Sequence, residues 1–104
     1  MSVRAIRAHA RDNVATVVQE VAAGEEVVAD LEGEETTVAS LEAIPAGHKV
    51  ALRDVAEGGE VIKYGEVIGR TTQAVAAGAH VHLHNMASQR VWRVQGEPSV
   101  GGSV

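Results

Sequence analysis

Three histidines alternate with apolar residues late in the chain, at His80, His82 and His84. Successive side chains of a β-strand point to opposite faces, so on a strand these imidazoles share one face while Val81 and Leu83 point into the core. Same-face neighbours lie about 6.6 Å apart between Cα atoms, which lets imidazoles converge on zinc, iron or nickel. The pattern predicts a metal site, with substrate binding or proton transfer and three solvated histidines as the alternatives.

Two further polar clusters contain the only two lysines of the chain. His48 and Lys49 follow Gly47 at the predicted start of a strand, where glycine allows close approach of the backbone. Lys63 precedes Tyr64, the only tyrosine, and such a pair can orient a carboxylate or move a proton. From spacing alone, both clusters are equally compatible with solvated turns, in which Tyr64 only covers the core.

A valine stripe follows Asp12 and Asn13. Its members recur at i, i+3, i+4 and i+7, one face of an α-helix, and they are Val14, Val17, Val18 and Val21. Asp12 or Asn13 can cap the first free amides of such a helix, and Gly24 can end it. The spacing predicts a short helix over about 13–23, packed on a sheet.

The remaining apolar segments predict short strands. They cover residues 27–31, 36–41, 49–53, 61–63, 66–70 and 80–84. Turn residues 32–35 and Tyr64-Gly65 predict two hairpins. Short strands with frequent glycines favour a mainly β fold, either a compact barrel or a folded-over sheet.

A repeated pattern, aliphatic-x-x-Gly-x-x-Val, occurs four times. Its glycines are Gly24, Gly47, Gly58 and Gly78. The irregular spacing of the copies argues against a solenoid. We interpret each copy as a corner at which glycine lets the backbone turn and the following valine starts a strand.

Composition narrows the function classes. The chain has 104 residues, a net charge of −5, no Cys and no Phe, so one domain is expected and thiolate metal sites are excluded. Residues 12–48 hold nine acids and no Lys or Arg, which disfavours nucleic acid as a partner and directs an anionic ligand to later residues. No segment has the length of a membrane span or of a secretory signal, so we expect a cytoplasmic protein without membrane contact.

Four motifs in one order resemble a known family. They are Asp12-Asn-Val-Ala-Thr16, Gly47-His-Lys49, Val61-Ile-Lys-Tyr-Gly-Glu66 with Ile68-Gly69, and His80-Val-His-Leu-His-Asn85. The chain resembles, over about residues 4–90, the SAF domain of altronate and galactarate dehydratases, a family that includes the small subunit of sulfolactate sulfo-lyase. The resemblance implies a β-clip fold with one or two short helices. We expect a single domain over 1–95, followed by a flexible tail at 96–104, where the apolar periodicity is lost.

The resemblance also implies an iron-dependent lyase that removes water, or sulfite in the sulfo-lyase, from a small anionic hydroxy acid by β-elimination. Combined with the polar clusters, it leads us to expect His48 as the acid or base and Fe²⁺ as the metal. The expected metal ligands are His80, His82 and His84. The expected substrate ligands are Lys49, Lys63, Tyr64, Asn85 and Arg90.

In the single-chain dehydratases this domain precedes a much larger catalytic region. We therefore expect the chain to be the small subunit of a two-subunit carbon–oxygen lyase, inactive without its large catalytic subunit and compatible with a homo-oligomer. The alternatives are a non-catalytic ligand-binding or assembly module and a sulfo-lyase subunit. A biotinyl or lipoyl carrier is disfavoured because the sequence around Lys63 does not match that of a modified lysine.

Overall fold

A computed structural model describes residues 2–88 and builds them from strands, turns and bends. The strands are β1 (Ser2–Ile6), β2 (Val14–Val17), β3 (Glu26–Leu31), β4 (Glu34–Ala39), β5 (Lys49–Ala51), β6 (Glu60–Lys63), β7 (Glu66–Thr71), β8 (His80–Val81) and β9 (Met86–Ser88). The mainly β prediction is confirmed. The tail predicted at 96–104 lies outside the described residues. Within residues 2–88, no helix is long and apolar enough to cross a membrane.

The strands form two sheets. The larger sheet has the order β4-β3-β1-β2-β5-β8, and the smaller has the order β6-β7-β9. Neighbours in both sheets are antiparallel except β1 and β3, which run parallel. Strand β8 is therefore an outer strand of the larger sheet, and this position decides how its histidines are held.

The helix predicted over 13–23 is wrong, because Val14–Val17 forms strand β2, Val18 lies in a bend and Val21 forms an isolated bridge with Ile44. Val14 packs in one apolar cluster with Val61 and Val81, whereas Ala15 and Val17 pack in a second cluster on Val50 and Ile44. Both faces of β2 are thus buried. Periodicity alone does not distinguish a strand that is apolar on both faces from a buried helix.

Asp12 ties the loop before β2 to the smaller sheet instead of capping a helix. Its buried carboxylate accepts hydrogen bonds through Oδ2 from the amides of Ala8 (3.2 Å) and His9 (3.1 Å). Its Oδ1 accepts one from the amide of Gly65 at 2.8 Å. The first two bonds shape the loop between β1 and β2, and the third joins this loop to the turn of the β6–β7 hairpin.

Both predicted hairpins are confirmed, each with a two-residue turn. Residues Glu32 and Gly33 have φ of 53° and 86°, and Tyr64 and Gly65 have φ of 58° and 75°. Two consecutive positive φ values are those of a type I′ turn, whose twist matches that of the flanking strands. The second turn leaves Tyr64 64% exposed at the tip of its hairpin.

The predicted glycine corners are confirmed at all four positions. Their φ values are 88° at Gly24, 84° at Gly47, 79° at Gly58 and 91° at Gly78. In each corner the residue after the glycine donates to the carbonyl three residues back, as in a type II turn with glycine at its third position. The residues that begin the corners pair two by two, Val21 with Ile44 and Val55 with Val75.

Gly78 and Gly24 separate the two reasons for glycine at a corner. A Cβ on Gly78 would overlap the Ala39 carbonyl oxygen, whereas a Cβ on Gly24 would meet no atom within 4 Å. Gly24→Ala pays only for the positive φ and should lower the free energy of unfolding by about 1–2 kcal/mol. Gly78→Ala adds an overlap and should cost about 2–4 kcal/mol. Urea unfolding measures both, and equal costs would contradict the close approach at Gly78.

Candidate metal and substrate site

Three imidazoles come together where β5 meets β8. The antiparallel register pairs Lys49 with Val81, and extending it by one residue sets His48 opposite His82. Their ring centroids lie 4.1 Å apart at an interplanar angle of 22°. The Nδ1 atom of His48 lies 2.8 Å from Nε2 of His80, and one ring nitrogen from each of the three histidines lies within 4.8 Å of the others.

The strand predicted over 80–84 is wrong beyond Val81. Val81 is 1% exposed, as expected, but Leu83 is 73% exposed instead of in the core. The chain leaves β8 in a turn, in which the amide of Asn85 donates to the carbonyl oxygen of His82 at 3.1 Å. Because residues 82–85 form a turn and not a strand, their side chains do not alternate between two faces. The prediction that His80, His82 and His84 share one strand face is therefore wrong.

The turn also changes which histidines form the closest group. The His84 ring lies beside His80, with centroids 5.1 Å apart, but His48 replaces it in the set of three whose nitrogens converge. His48 lies 32 residues before His80, so no local spacing could show the contact. The sequence signal was only that both histidines follow a glycine corner.

The surroundings of His80 and His82 favour the neutral forms of these two side chains. Burial, followed by His48 and His84, lowers the pKa of His80 below its ordinary value of 6.5, while Glu42 opposes the shift. Desolvation, followed by His48 and Lys49, lowers the pKa of His82. Because the bond between His48 and His80 needs one ring nitrogen to accept, it cannot form when both rings carry two protons. Neutral imidazole is the form that binds metal.

Lys49 lies next to the histidines, since its charge acts on His82, whereas Lys63 and Tyr64 lie at the tip of the β6–β7 hairpin. Burial, and secondarily the charge of Lys63, lowers the pKa of Lys49. The Nζ atom of Lys63 lies 5.0 Å from the centroid of the Tyr64 ring. In the part of the chain that the structure describes, the ion pairs are Arg4–Glu35 and Arg70–Glu60, so neither lysine is neutralised by a carboxylate. The lysines form a positive region in an acidic chain.

Asn85 and Arg90 have different outcomes. Asn85 is 5% exposed, and its side chain binds backbone groups: Oδ1 accepts from the amide of His82 at 3.0 Å, and Nδ2 donates to the carbonyl of His80 at 2.8 Å. Contact of Asn85 with substrate stays a prediction. Arg90 lies outside the described residues.

Sequence reasoning missed Glu42. Its Oε2 accepts a hydrogen bond from the backbone amide of His80 at 3.1 Å. It belongs to the acidic stretch that we interpreted as a solvated face, and it precedes His80 by 38 residues. No pattern in the sequence links the two.

A known protein family matches nearly the whole described part of the chain. A family model for the SAF domain of altronate and galactarate dehydratases matches residues 3–89, which include every histidine, lysine and tyrosine of the site. The chain belongs to this family. The SAF domain therefore accounts for nearly all of the described structure, and its name confirms the resemblance seen in the motifs.

Individual relatives show how this SAF domain is used. The chain is 46% identical to altronate dehydratase of Escherichia coli (strain K12) over 80 residues, which are 77% of the chain and 15% of the relative. It is 41% identical to galactarate dehydratase (L-threo-forming) of the same organism over 78 residues, 73% of the chain and 14% of the relative. It is 53% identical to (2R)-sulfolactate sulfo-lyase subunit alpha of Chromohalobacter salexigens over 49 residues, 47% of the chain and 52% of the relative.

The chain thus matches only a part of these relatives. Its share is about a seventh of the two dehydratases and about half of the sulfo-lyase subunit. Most of each dehydratase consists of sequence that the SAF domain does not include.

The lowered pKa of His80 predicts a pH-dependent stability. His80 takes up its proton near pH 6.5 in the unfolded chain and only at lower pH in the folded chain. The free energy of unfolding is therefore unaffected by the titration of this group above pH 6.5 and decreases as the pH falls below 6.5. We expect wild type to lose more free energy of unfolding between pH 7.5 and pH 5 than His80→Asn. Urea unfolding at both values measures this, and equal losses would show that His80 is not held neutral by the fold.

Proposed function

We propose that this chain is the SAF component of a hydroxy-acid lyase of the altronate and galactarate dehydratase type. In this proposal His48, His80 and His82 hold a divalent metal, Fe²⁺, and Lys63 binds the carboxylate of the substrate. The observation that carries it is the convergence of three imidazole nitrogens. In the described part of the chain, neither lysine forms an ion pair with a carboxylate.

The donor set fits such a metal. Imidazole nitrogens suit iron, zinc and nickel, and they bind at about 2.0–2.1 Å. Two ligands at adjacent positions of one octahedral ion then lie about 3 Å apart, close to the 2.8 Å between the nitrogens of His48 and His80. Three protein nitrogens leave coordination positions for a substrate or water, so a site of this kind is suited to catalysis.

The elimination requires two bond-breaking events. The C–H bond α to the carboxylate breaks as a base takes the proton, and the C–O bond at the β carbon breaks as the hydroxyl leaves with a proton as water. A bound metal supplies Lewis acidity for the departing oxygen. Lys63 and Tyr64 orient the carboxylate of the acid.

Lys49 is the base in this proposal, because burial lowers its pKa. Its lowered pKa brings the neutral amine closer to physiological pH, as a general base requires. His48, the acid or base expected from the sequence, remains the alternative, but its Nδ1 points into the group of three nitrogens. A metal-bound nitrogen does not take up a proton, so the two roles of that atom exclude each other.

The proposed site needs further walls. His48, His80 and His82 are each only partly buried, and elimination is favoured where water is excluded. Because the SAF domain is 14–15% of the dehydratases it matches, we propose that a larger catalytic part supplies those walls. The relatives named as subunit alpha favour a separate large subunit. We also propose that the enzyme is cytoplasmic.

A second candidate is the corresponding part of a sulfo-lyase. The 53% identity to (2R)-sulfolactate sulfo-lyase subunit alpha favours it, although it covers only 49 residues. Lys63 would again bind the carboxylate, and sulfite would be the leaving group. Assays of the complete enzyme with altronate, galactarate and sulfolactate distinguish the two.

Metal titration tests the proposed site. Anaerobic calorimetry with Fe²⁺, and with Co²⁺ as an air-stable probe, should show one ion bound per chain. His48→Ala, His80→Ala and His82→Ala should each weaken binding by about 100-fold, since each removes one ligand. His84→Ala is the matched control and should change affinity less than threefold.

The same variants test the activity in the complete enzyme. Variants of the three converging histidines should lose turnover of altronate or galactarate, and His84→Ala should retain it. Wild-type chain that binds no divalent metal would overturn the metal centre. Full turnover in His48→Ala would exclude His48 both as a ligand and as the acid or base.

A further inference from the structure

The outer edge of β8 is closed by side chains. An outer strand exposes backbone groups that no neighbouring strand binds. Here the amide of His80 donates to Glu42 Oε2 at 3.1 Å. The carbonyl of His80 and the amide of His82 bind the two ends of the Asn85 side chain. The backbone that carries two of the three converging histidines is therefore held by Glu42 and Asn85.

Asn85 takes the place of a strand partner. In a parallel pair of strands, where the hydrogen bonds are slanted, a residue donates its N–H to one and accepts at its C=O from the other of the two residues that flank its opposite number. The primary amide of Asn85 offers the same donor and acceptor to His80 and His82, which flank Val81. Because both bonds come from one nearly buried side chain, they fix the distance between those two residues.

We propose that Asn85 is the positioning residue of the histidine group, which it holds in the converged arrangement before any metal binds. Asn85 does this by acting on the backbone of His80 and His82 rather than by touching metal or substrate. The inference rests on the proposed metal site for its effect on binding, but the positioning itself is a property of the metal-free chain.

Asn13 provides a matched control within the same molecule. Its Nδ2 donates to the carbonyl of Glu60 at 2.8 Å and its Oδ1 accepts from the amide of Ile62 at 2.8 Å. It therefore brackets Val61 as Asn85 brackets Val81, with the same chemistry, but on β6, which carries none of the histidines. Loss of either side chain should weaken the fold, and only loss of Asn85 should disturb the histidines.

Two variants at each position allow the comparison to survive a folding defect. Asn85→Ala and Asn13→Ala remove both bonds. Asn85→Asp and Asn13→Asp keep an acceptor and replace the donor. For each folded variant we would record the histidine ring Cε1–H signals by NMR without metal, the Co²⁺ affinity by calorimetry and the midpoint of urea unfolding.

The expected result is a split between the two positions. Both alanine variants should lower the urea midpoint. The Asn85 variants should shift the ring signals of His48, His80 and His82 and weaken Co²⁺ binding by about 10–100-fold. In the Asn13 variants, the ring signals and the Co²⁺ affinity should stay within error of the wild-type values.

Two outcomes would overturn the proposal. One is unmoved histidine signals in both folded Asn85 variants, or in Asn85→Asp where Asn85→Ala does not fold. The other is an equal shift in the Asn13 variants, which would show a general loosening of the fold. If wild type binds no Co²⁺ but the signals still split as expected, the metal site fails and the positioning role of Asn85 stands.

Discussion

The structure depends on four glycine corners. The core consists mostly of Val and Ala, so bulky side chains do little to define where strands begin and the backbone must do it. Each corner needs a positive φ, between 79° and 91° at its glycine, which costs other residues about 1–2 kcal/mol. The corners at Gly47 and Gly78 deliver β5 and β8 to each other, and the histidines follow those corners by one and two residues.

Because β5 and β8 are positioned by glycine corners, the histidine site is an open one. It lies at the edge of a sheet, where Glu42 and Asn85 replace the missing strand. A surface of this kind can converge nitrogens and position lysines but cannot enclose a substrate. A small domain with a half-formed site agrees with relatives in which the matched segment is a minor part of the chain.

Local patterns predicted those elements whose determinants are local. The Tyr64-Gly65 turn and the four corners were correct because glycine at a positive φ is specified by the residues around it. The helix at 13–23 was wrong because β2 is buried on both faces by strands far away in sequence. His48 was not grouped with His80 and His82 for the same reason, since the register of β5 on β8 is a tertiary property. His84 does not continue the strand, because the chain turns there and the Asn85 side chain bonds back to His80 and His82.

We propose that three imidazoles, brought together where β5 meets β8, form one metal site. X-ray absorption at the cobalt edge, on the Co²⁺-loaded chain, measures it most directly. The account predicts scattering from three imidazoles at about 2.0–2.1 Å, reduced to two in His48→Ala and unchanged in His84→Ala. A first shell of oxygen atoms alone, or a spectrum that His48→Ala leaves unchanged, would contradict it.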